Sequence, residues 1–509
     1  MEDYFHWFWV LLISYIMLIF MLKVVLHLWW TPRRIQLHFM KQGIKGPKYQ
    51  LFLGNLKELA TLNLRASAST YASLPQHTPQ GSTFLVWFGA TGRLTVSDPA
   101  LIREIFVLKS ELFEKNESPP LVRKIEGDGL LSLKGEKWAH HRKIIQPTFH
   151  TENLKLMIPM MGKSMEEAVW KWSEEMSNAG KVEIEVSDWF ENLVEDVITR
   201  ATFGSSYEDG KAIFQLQSQQ MLHATEAYQK VFIPGYRFLP TKKNRISWRL
   251  EKEIRKSLVK LIDRRRKNSG CQGVSDECPN DLLELMIKAS LKDSADESSP
   301  LAITANDVVE ECKTIFFAGK HTTSNLLTWT TVLLAMHPQW QDQAREEVLR
   351  VCGARDTPSK DDLAKLKTLG MILNESLRLY PPAVAIIRRA KTDMQLGGLH
   401  IPRGTELLIP ILAVHHDPAL WCHDAHEFNP ARFAKGVAHA AKHPMAFMPF
   451  GLGARRCIGQ NLAVLQARLA IAMLLQRFSF ELAPTYQHAP SVLMLLHPQH
   501  GAPIVFRKL

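Results

Sequence analysis

The sequence of 509 residues has no stretch of mixed glycine, serine and proline of the kind that separates domains, and no internal repeat. Length alone would allow about three domains, but no linker divides them. Zinc-finger spacing and nucleic-acid-binding motifs are also lacking, so nothing ties the net charge of +11 to nucleic acid. With no G-x-G-x-x-G unit and no flavin motif, electrons for any redox chemistry have to come from a separate protein. The six cysteines, Cys271, Cys278, Cys312, Cys352, Cys422 and Cys457, are widely spaced and form no paired framework. That argues against a disulfide scaffold and leaves any cysteine chemistry to one thiol acting alone. The apolar N-terminal stretch is not followed by a small-residue cleavage site, so it is expected to stay attached.

What the sequence does have begins with that stretch. Residues 4–30, "YFHWFWVLLISYIMLIFMLKVVLHLWW", are almost wholly apolar and long enough to span a bilayer, with tryptophans at both ends. Glu2 and Asp3 precede it, whereas Arg33, Arg34, Lys41, Lys45 and Lys48 follow it, which predicts that the remainder faces the cytosol. His6, Lys23 and His27 are the features that favour a buried core helix instead. The reading is an N-terminal membrane anchor at 1–30, a basic, proline-containing hinge at 31–55 and one large domain at 56–509.

Beyond the hinge, Thr83 to Thr95 alternates as strands do. Helical periods then dominate, at 99–115, 152–179, 189–204, 207–231, 245–267, 304–337, 361–379 and 458–478. Short strands are expected at 395–400, 406–409 and near both ends of 479–507. Residues 268–300 read as a surface loop containing one short helix, "DLLELMIKASLK". "FIPGYRFLP", at 232–240, is apolar enough either to be core or to touch a membrane beside the anchor, with the second favoured. The fold class is mainly α with small peripheral β-sheets.

The sharpest stretch is "FMPFGLGARRCIGQNLAVLQARLAIAMLLQRF". A glycine-rich loop ends at Cys457, just before an apolar helix. The positive end of that helix and the Arg455 cation favour thiolate over thiol. Gly453 and Gly459 allow a tight turn and close backbone approach. A thiolate held in this way is a nucleophile or a soft metal ligand, and no local Cys/His signature provides the base that a nucleophile needs. The plainer alternative is a buried structural cysteine.

Phe450, Gly453, Arg455, Cys457 and Gly459 fit F-x-x-G-x-R-x-C-x-G, which resembles the haem-binding loop of the cytochrome P-450 monooxygenases. The resemblance implies a cytochrome P-450 fold behind the N-terminal transmembrane helix. It makes Cys457 the axial thiolate of haem b, pairs Arg455 with a haem propionate and packs Phe450 beside the sulfur. "KWAHHRK" supplies Trp138 and Arg142 for a propionate, and "AIIRRAKTD" supplies Arg388, with Arg389 a neighbouring competitor. Glu375 and Arg378 in "LNESLRL" and Arg432 in "FNPARF" correspond to an ion-pair network that serves fold integrity.

Around 304–337, Thr304 and Asp307 form a capping-box pattern and Pro338 ends the helix. At 100° per residue, Ile315, Ala318, Gly319, Thr322 and Leu326 share a face. Lys320 points away from it as a snorkelling lysine, and His321 flanks it. Ala318, Gly319, Thr322 and Thr323 fit the family's A/G-G-x-D/E-T-T/S motif. In that frame Gly319 permits close approach to the haem, and the Thr322 hydroxyl bonds back to the Ala318 carbonyl to open a groove for dioxygen. Thr322 then orients proton delivery. His321 stands where the motif has an acid and either relays protons itself or stands by while water does. The departure also keeps open relatives that rearrange peroxides without dioxygen, although those typically lack the threonine.

An apolar substrate is expected against Ile315, Phe316, Phe317, Ala318, Thr322, Val384, Ala385, Ile386 and Leu495, with 121–133 and Met494 to Leu496 as further contact segments. "AGKHTTSNLLTWTTVLLAMHP", "VCGARDTPSKDDLAKLKTLGMILNESLRLYPP" and "LAPTYQHAPSVLMLLHPQHGAPI" resemble the plant brassinosteroid-inactivating 26-hydroxylases of family 734, subfamily A. Related plant groups oxidise gibberellins, cytokinins, fatty acids or triterpenoids. The resemblance implies O2 as co-substrate, NADPH through a partner flavoprotein reductase, and an endoplasmic reticulum membrane location. A haem protein without monooxygenase activity is the reading of another class. His415, His416, Cys422, His423 and His426 match no structural zinc spacing, and "DRRRK" at 263–267 reads as a solvated helix end, with membrane-surface contact the alternative.

Overall fold

The computed structural model describes residues 2–509 except 53, 56–82, 119, 229–238, 270–280, 295–300, 354 and 493. The boundary at 56, Cys271, Cys278 and most of the 232–240 stretch lie outside the described residues. The chain divides into two compact units: residues 1–116, 385–420 and 452–454 in one, and the remainder in the other.

In the smaller unit, α1 (Glu2–Val25) passes through a π turn at Leu26–Trp30 into α2 (Thr31–Lys41). The hinge reading at 31 is therefore corrected: the helix continues for eleven residues past the tryptophans. Pro32 has no N–H, and its ring would crowd the carbonyl four residues back, that of Leu28. The π turn loosens the helix at that point, and the Tyr49 hydroxyl donates to the freed Leu28 carbonyl at 2.7 Å. The stretch Tyr4–Lys41 is long and apolar enough to cross a membrane, and its apolar window is exposed. The end of α2 is pinned to the strand Leu399–Ile401: the Gln42 side chain accepts from the His400 N–H at 2.6 Å and donates to its carbonyl at 3.1 Å.

Five strands form this unit's main sheet, in the order Thr83–Phe88, Thr91–Val96, Glu406–Ile409, Ile386–Ala390, Phe113–Lys115. All neighbours are antiparallel except Thr91–Val96 with Glu406–Ile409. The single helix expected over 99–115 is not there. An α-turn at Pro99–Arg103 gives way to a π turn, a 3-10 turn and the strand Phe113–Lys115. Pairing of that strand with Ile386–Ala390, far away in sequence, overrides its local helical preference.

The larger unit is helical. Its principal helices are α3 (Pro120–Glu126), α4 (Gly135–Ile145), α5 (Ile158–Ala179), α6 (Val186–Phe203), α7 (Tyr207–Tyr228), α8 (Lys242–Ser269), α9 (Leu282–Ser294), α10 (Ala305–Met336), α11 (Lys367–Leu379) and α12 (Gln460–Arg477). The last residues of the expected 207–231 helix lie outside the described residues. The expected helix 361–379 is two helices, Lys360–Lys365 and α11. The Glu347 carboxylate accepts from the N–H groups of Lys367, Thr368 and Leu369 at 2.9, 2.9 and 3.1 Å, so a side chain from another helix caps the second start. Two small sheets complete the unit: Lys181–Glu185, Pro503–Lys508 and Phe478–Leu482, and the hairpin Pro490–Val492 with Leu496–Pro498.

At the centre of this unit is α10, 32 residues and about 48 Å long. Thr304 and Asp307 cap it reciprocally: the Thr304 hydroxyl accepts from the Asp307 N–H at 3.1 Å, and the Asp307 carboxylate accepts from the Thr304 N–H at 2.9 Å. Helices α3, α6, α8, α9, α11 and α12 pack around it.

Near α11 lies a wholly buried ion pair. Arg378 donates to both oxygens of Glu375, at 2.7 and 2.8 Å, and to the carbonyls of Ala425 and Glu427 at 2.6 and 3.0 Å. Arg432 reaches Glu375 at 3.3 Å and Asp424 at 2.6 Å. Asp424 is the fourth member of the network and was not read from the sequence. The Arg432 hydrogen bond holds its carboxyl down at about 2, against a smaller upward push from burial.

Breaking a buried pair leaves an uncompensated charge. Glu375→Gln is expected to lose about 3–5 kcal/mol of stability in denaturant unfolding. Arg378→Lys is expected to lose stability as well, because an ammonium cannot reproduce the fork of donors that reaches Glu375, Ala425 and Glu427 together. Asp424 has a lower pKa folded than unfolded, so its stabilisation is complete above the unfolded value of about 4 and is lost as pH falls toward about 2. The difference in melting temperature between the natural protein and Asp424→Asn is therefore expected to be constant at neutral pH and to narrow across that acid window.

Candidate active site

The loop that carries Cys457 is closed by its own backbone: the Cys457 N–H donates to the Phe450 carbonyl at 2.9 Å. Phe450 packs on the main apolar core. Gly453 has φ +68°, and a Cβ there would lie 2.2 Å from the Phe106 carbonyl oxygen, so only glycine fits. Gly459 differs from expectation: its φ is −85°, and a Cβ would make only an ordinary contact with Phe149. Its role is positional, as N-cap of α12 with its N–H directed at the Cys457 sulfur.

Cys457 is accessible, yet burial in dense surroundings pushes its thiol up. Together these place it at an internal recess rather than in bulk water. The N–H groups of Gly459 and Gln460 and the cations Arg142 and Arg456 oppose that push without overcoming it. The helix end thus acts in the expected direction without prevailing over burial, and the cations named beside the thiol are Arg142 and Arg456 rather than Arg455. Arg455 instead donates to the Leu133 carbonyl at 2.8 Å and lies 4.4 Å over the Trp138 ring.

Trp138 and Arg142 share one face of α4, with the Arg142 guanidinium 5.5 Å over the Trp138 ring. Desolvation lowers the pKa of Arg142, and among the described residues no carboxylate pairs with it. A half-buried guanidinium without an anion, a second guanidinium on the same indole and a thiol facing a recess are the donor set that a haem with anionic propionates requires. The residues fit the group: Cys457 for the iron, Arg142, Arg455 and Trp138 for the propionates. Arg388 belongs to the smaller unit. It is half-buried on its strand, lies 4.9 Å over the Phe106 ring and donates to the Ile387 carbonyl at 3.0 Å, while Arg389 alternates to the exposed side.

On α10, the Thr322 hydroxyl donates to the Ala318 carbonyl at 2.6 Å, competing with the backbone for that acceptor. Ala318 is exposed in the middle of a helix whose flanks are buried, which marks the notch. Gly319 serves a different contact from the one expected. A Cβ there would lie 3.0 Å from Ile198, so the glycine lets α6 approach α10. Phe316 is also not a pocket residue: it is wholly buried, its ring centroid 3.9 Å from that of Phe214. It lies about 200° round the helix from Ala318, on the core side.

Lys320 does not snorkel. Its ammonium is buried, 2.5 Å from Glu195 and 3.0 Å from the Ser218 hydroxyl. His321 Nδ1 lies 3.1 Å from Glu191. Both carboxylates come from α6, where Glu191, Glu195 and Ile198 share one face. Two acids four residues apart on a largely apolar helix were the missed signal.

The remaining substrate candidates divide between the units. Ile315, Val384 and Leu495 are in the larger unit, and Ala385 and Ile386 are in the smaller. Within the larger unit the Leu496 N–H donates to the Pro382 carbonyl at 3.0 Å, and Trp329 Nε1 on α10 donates to the Leu496 carbonyl at 3.4 Å. These bonds bring 382–384 and 494–496 to α10. Segment 121–133 is tied to the same helix, with the Thr314 hydroxyl donating to the Glu126 carbonyl at 2.6 Å. Among the described residues no His, Cys, Asp and Glu group is arranged to hold a free metal ion.

The cytochrome P450 family model matches residues 44–503. The chain is 62% identical to cytochrome P450 734A1 of Arabidopsis thaliana, over 98% of this chain and 97% of that protein. It is 58% identical to cytochrome P450 734A6 of Oryza sativa subsp. japonica, over 95% of this chain and 93% of that protein. Cytochrome P450 CYP72A616 of Paris polyphylla is 45% identical over 95% of each. A thiol loop of this geometry, a notched central helix and similarity along nearly the whole length agree: the chain belongs to the cytochrome P450 family.

Proposed function

We propose that the chain is a membrane-anchored haem-thiolate monooxygenase that hydroxylates brassinosteroids such as castasterone and brassinolide at the side-chain end, C-26, inactivating the hormone. The observation that carries this reading is the 62% identity to a family 734 member over 98% of the chain, joined to the resemblance of 318–338, 351–382 and 482–504 to the brassinosteroid-inactivating group.

When bound, haem supplies an iron centre at which dioxygen is reduced and activated. The chain's own part is to hold and shape. Cys457 offers sulfur from a rigid loop, and Arg142, Arg455 and Trp138 offer charge and hydrogen bonds to propionates. The back-bonded Thr322 leaves room beside Ala318. Ile315 and Val384, both nearly buried, and the half-buried Leu495 are apolar side chains of the kind that a steroid skeleton packs against. Electrons reach the site from NADPH through a separate flavoprotein reductase. The N-terminal helix keeps the enzyme on the endoplasmic reticulum membrane with the catalytic domain in the cytosol.

The test is turnover of castasterone under 18O2 by the full chain in vesicles with NADPH and a flavoprotein reductase. The expected product carries one 18O atom at C-26. Oxidation of a gibberellin, a cytokinin, a fatty acid or a triterpenoid in parallel reactions, with castasterone untouched, would refute the steroid assignment. Consumption of a hydroperoxide without NADPH or 18O incorporation would refute the monooxygenase assignment.

A further inference from the structure

The chain places an exposed carboxylate, an imidazole and the Thr322 notch in succession. Glu191 on α6 keeps 39% of its side chain exposed, and His321 on α10 keeps 26%. Their closest atoms, Glu191 Oε1 and His321 Nδ1, are 3.1 Å apart. His321 is the residue before Thr322, whose hydroxyl is committed to the Ala318 carbonyl. The Ser324 hydroxyl donates to the His321 carbonyl at 3.2 Å, a second side-chain bond to backbone in the same turn.

We propose that Glu191 is a positioning residue for oxygen activation: its carboxylate fixes His321 with the proton on Nδ1, and His321 Nε2 then carries protons from solvent to the Thr322 notch. The inference rests on the monooxygenase reading and adds the route of the proton.

The surroundings fix the direction of the hydrogen bond. Burial pushes the Glu191 carboxyl up, but the His321 hydrogen bond and the nearby His321, Lys320 and His497 outweigh it and hold it below the usual carboxylate range. An ionised carboxylate only accepts, so Nδ1–H is the donor. Nε2 is then the ring atom free to exchange a proton. The groups facing the pair are Asp188 on α6, Lys320 on α10 and His497 on the strand Leu496–Pro498. Lys320 is 4.0 Å from Glu191 but 2.5 Å from Glu195, so its own bond is to Glu195. Asp188 is raised, first by burial and then by the carboxylates Glu185 and Glu191.

The proton balance is simple. Nε2 takes one proton from a solvent hydronium ion, leaving water and giving imidazolium paired with the Glu191 carboxylate. It then gives one proton to the hydroxyl or water in the notch and returns to the neutral Nδ1–H form. Glu191 keeps its charge throughout, so its contribution is to select the tautomer and stabilise the cation.

The experiment uses the full chain, with histidine ring nitrogens labelled with 15N, in four forms: natural, Glu191→Ala, Glu191→Gln and Glu195→Gln. The His321 resonance is identified by its loss in His321→Asn. The first readout, made without substrate or reductase, is the tautomer. The natural protein is expected to show Nδ1–H at His321, and Glu191→Ala to move the ring toward Nε2–H. Glu191→Gln, which still offers an oxygen, is expected to keep it. The second readout is the share of NADPH that ends as hydrogen peroxide in the reconstituted system with castasterone. The ratio of product to peroxide is expected to fall about tenfold or more in Glu191→Ala. Glu195→Gln is expected to lower the melting temperature while leaving both readouts unchanged. An unmoved resonance in Glu191→Ala overturns the hydrogen bond, and an unmoved ratio with a moved resonance overturns the relay. If castasterone gives no product in the natural protein, the steroid assignment falls and the tautomer readout stands apart from it.

Discussion

A helix of 32 residues through the middle of a helical unit has to carry its polar side chains into places where an unpaired charge is costly. This constraint organises the structure. Lys313 is matched by Glu251 and Glu310, at 2.8 and 3.3 Å, Lys320 by Glu195, and Glu311 by His141 at 2.7 Å. Glu310 belongs to α10 itself; the other partners come from α8, α6 and α4, so each of those matches also fixes a neighbouring helix. The Thr322 hydroxyl turns back onto its own helix, as those of Thr328, Thr330 and Thr331 do, but at Thr322 the neighbouring Ala318 is left accessible.

The thiol loop obeys the same rule from the other side. Burial disfavours a thiolate at Cys457 more than the helix end and the nearby arginines favour it. A cation bound at the sulfur reverses that balance, because a coordinating thiol is deprotonated outright. Arg142, half-buried with no carboxylate partner among the described residues, makes the complementary statement about anions. A haem, with its iron and its anionic propionates, would suit both groups.

Much of this was legible in the sequence, because the signals are local. The capping box at Thr304, the back-bonding of Thr322 and the spacing of Phe450, Gly453, Arg455 and Cys457 are set by residues within a few positions of one another. What was not legible depends on partners far along the chain. Lys320 read as a snorkelling side chain because Glu195 lies 125 residues away. The helix at 361–379 broke because Glu347 caps its second half, and 99–115 gave up its last residues to a strand near 388. Phe316 was misassigned for a simpler reason: apolar character does not distinguish a pocket wall from the core, and its position on the helix wheel, opposite Ala318, was the better guide.

The proposed chemistry depends on Cys457, held by this loop, ligating haem iron as a thiolate. The most direct measurement is the absorption spectrum of the reduced, carbon-monoxide-treated full chain, with Cys457→Ser alongside. Thiolate ligation by Cys457 gives the red-shifted Soret band in the natural protein and its loss in Cys457→Ser. A natural protein without the band, or a Cys457→Ser protein that retains it, would refute thiolate ligation by Cys457.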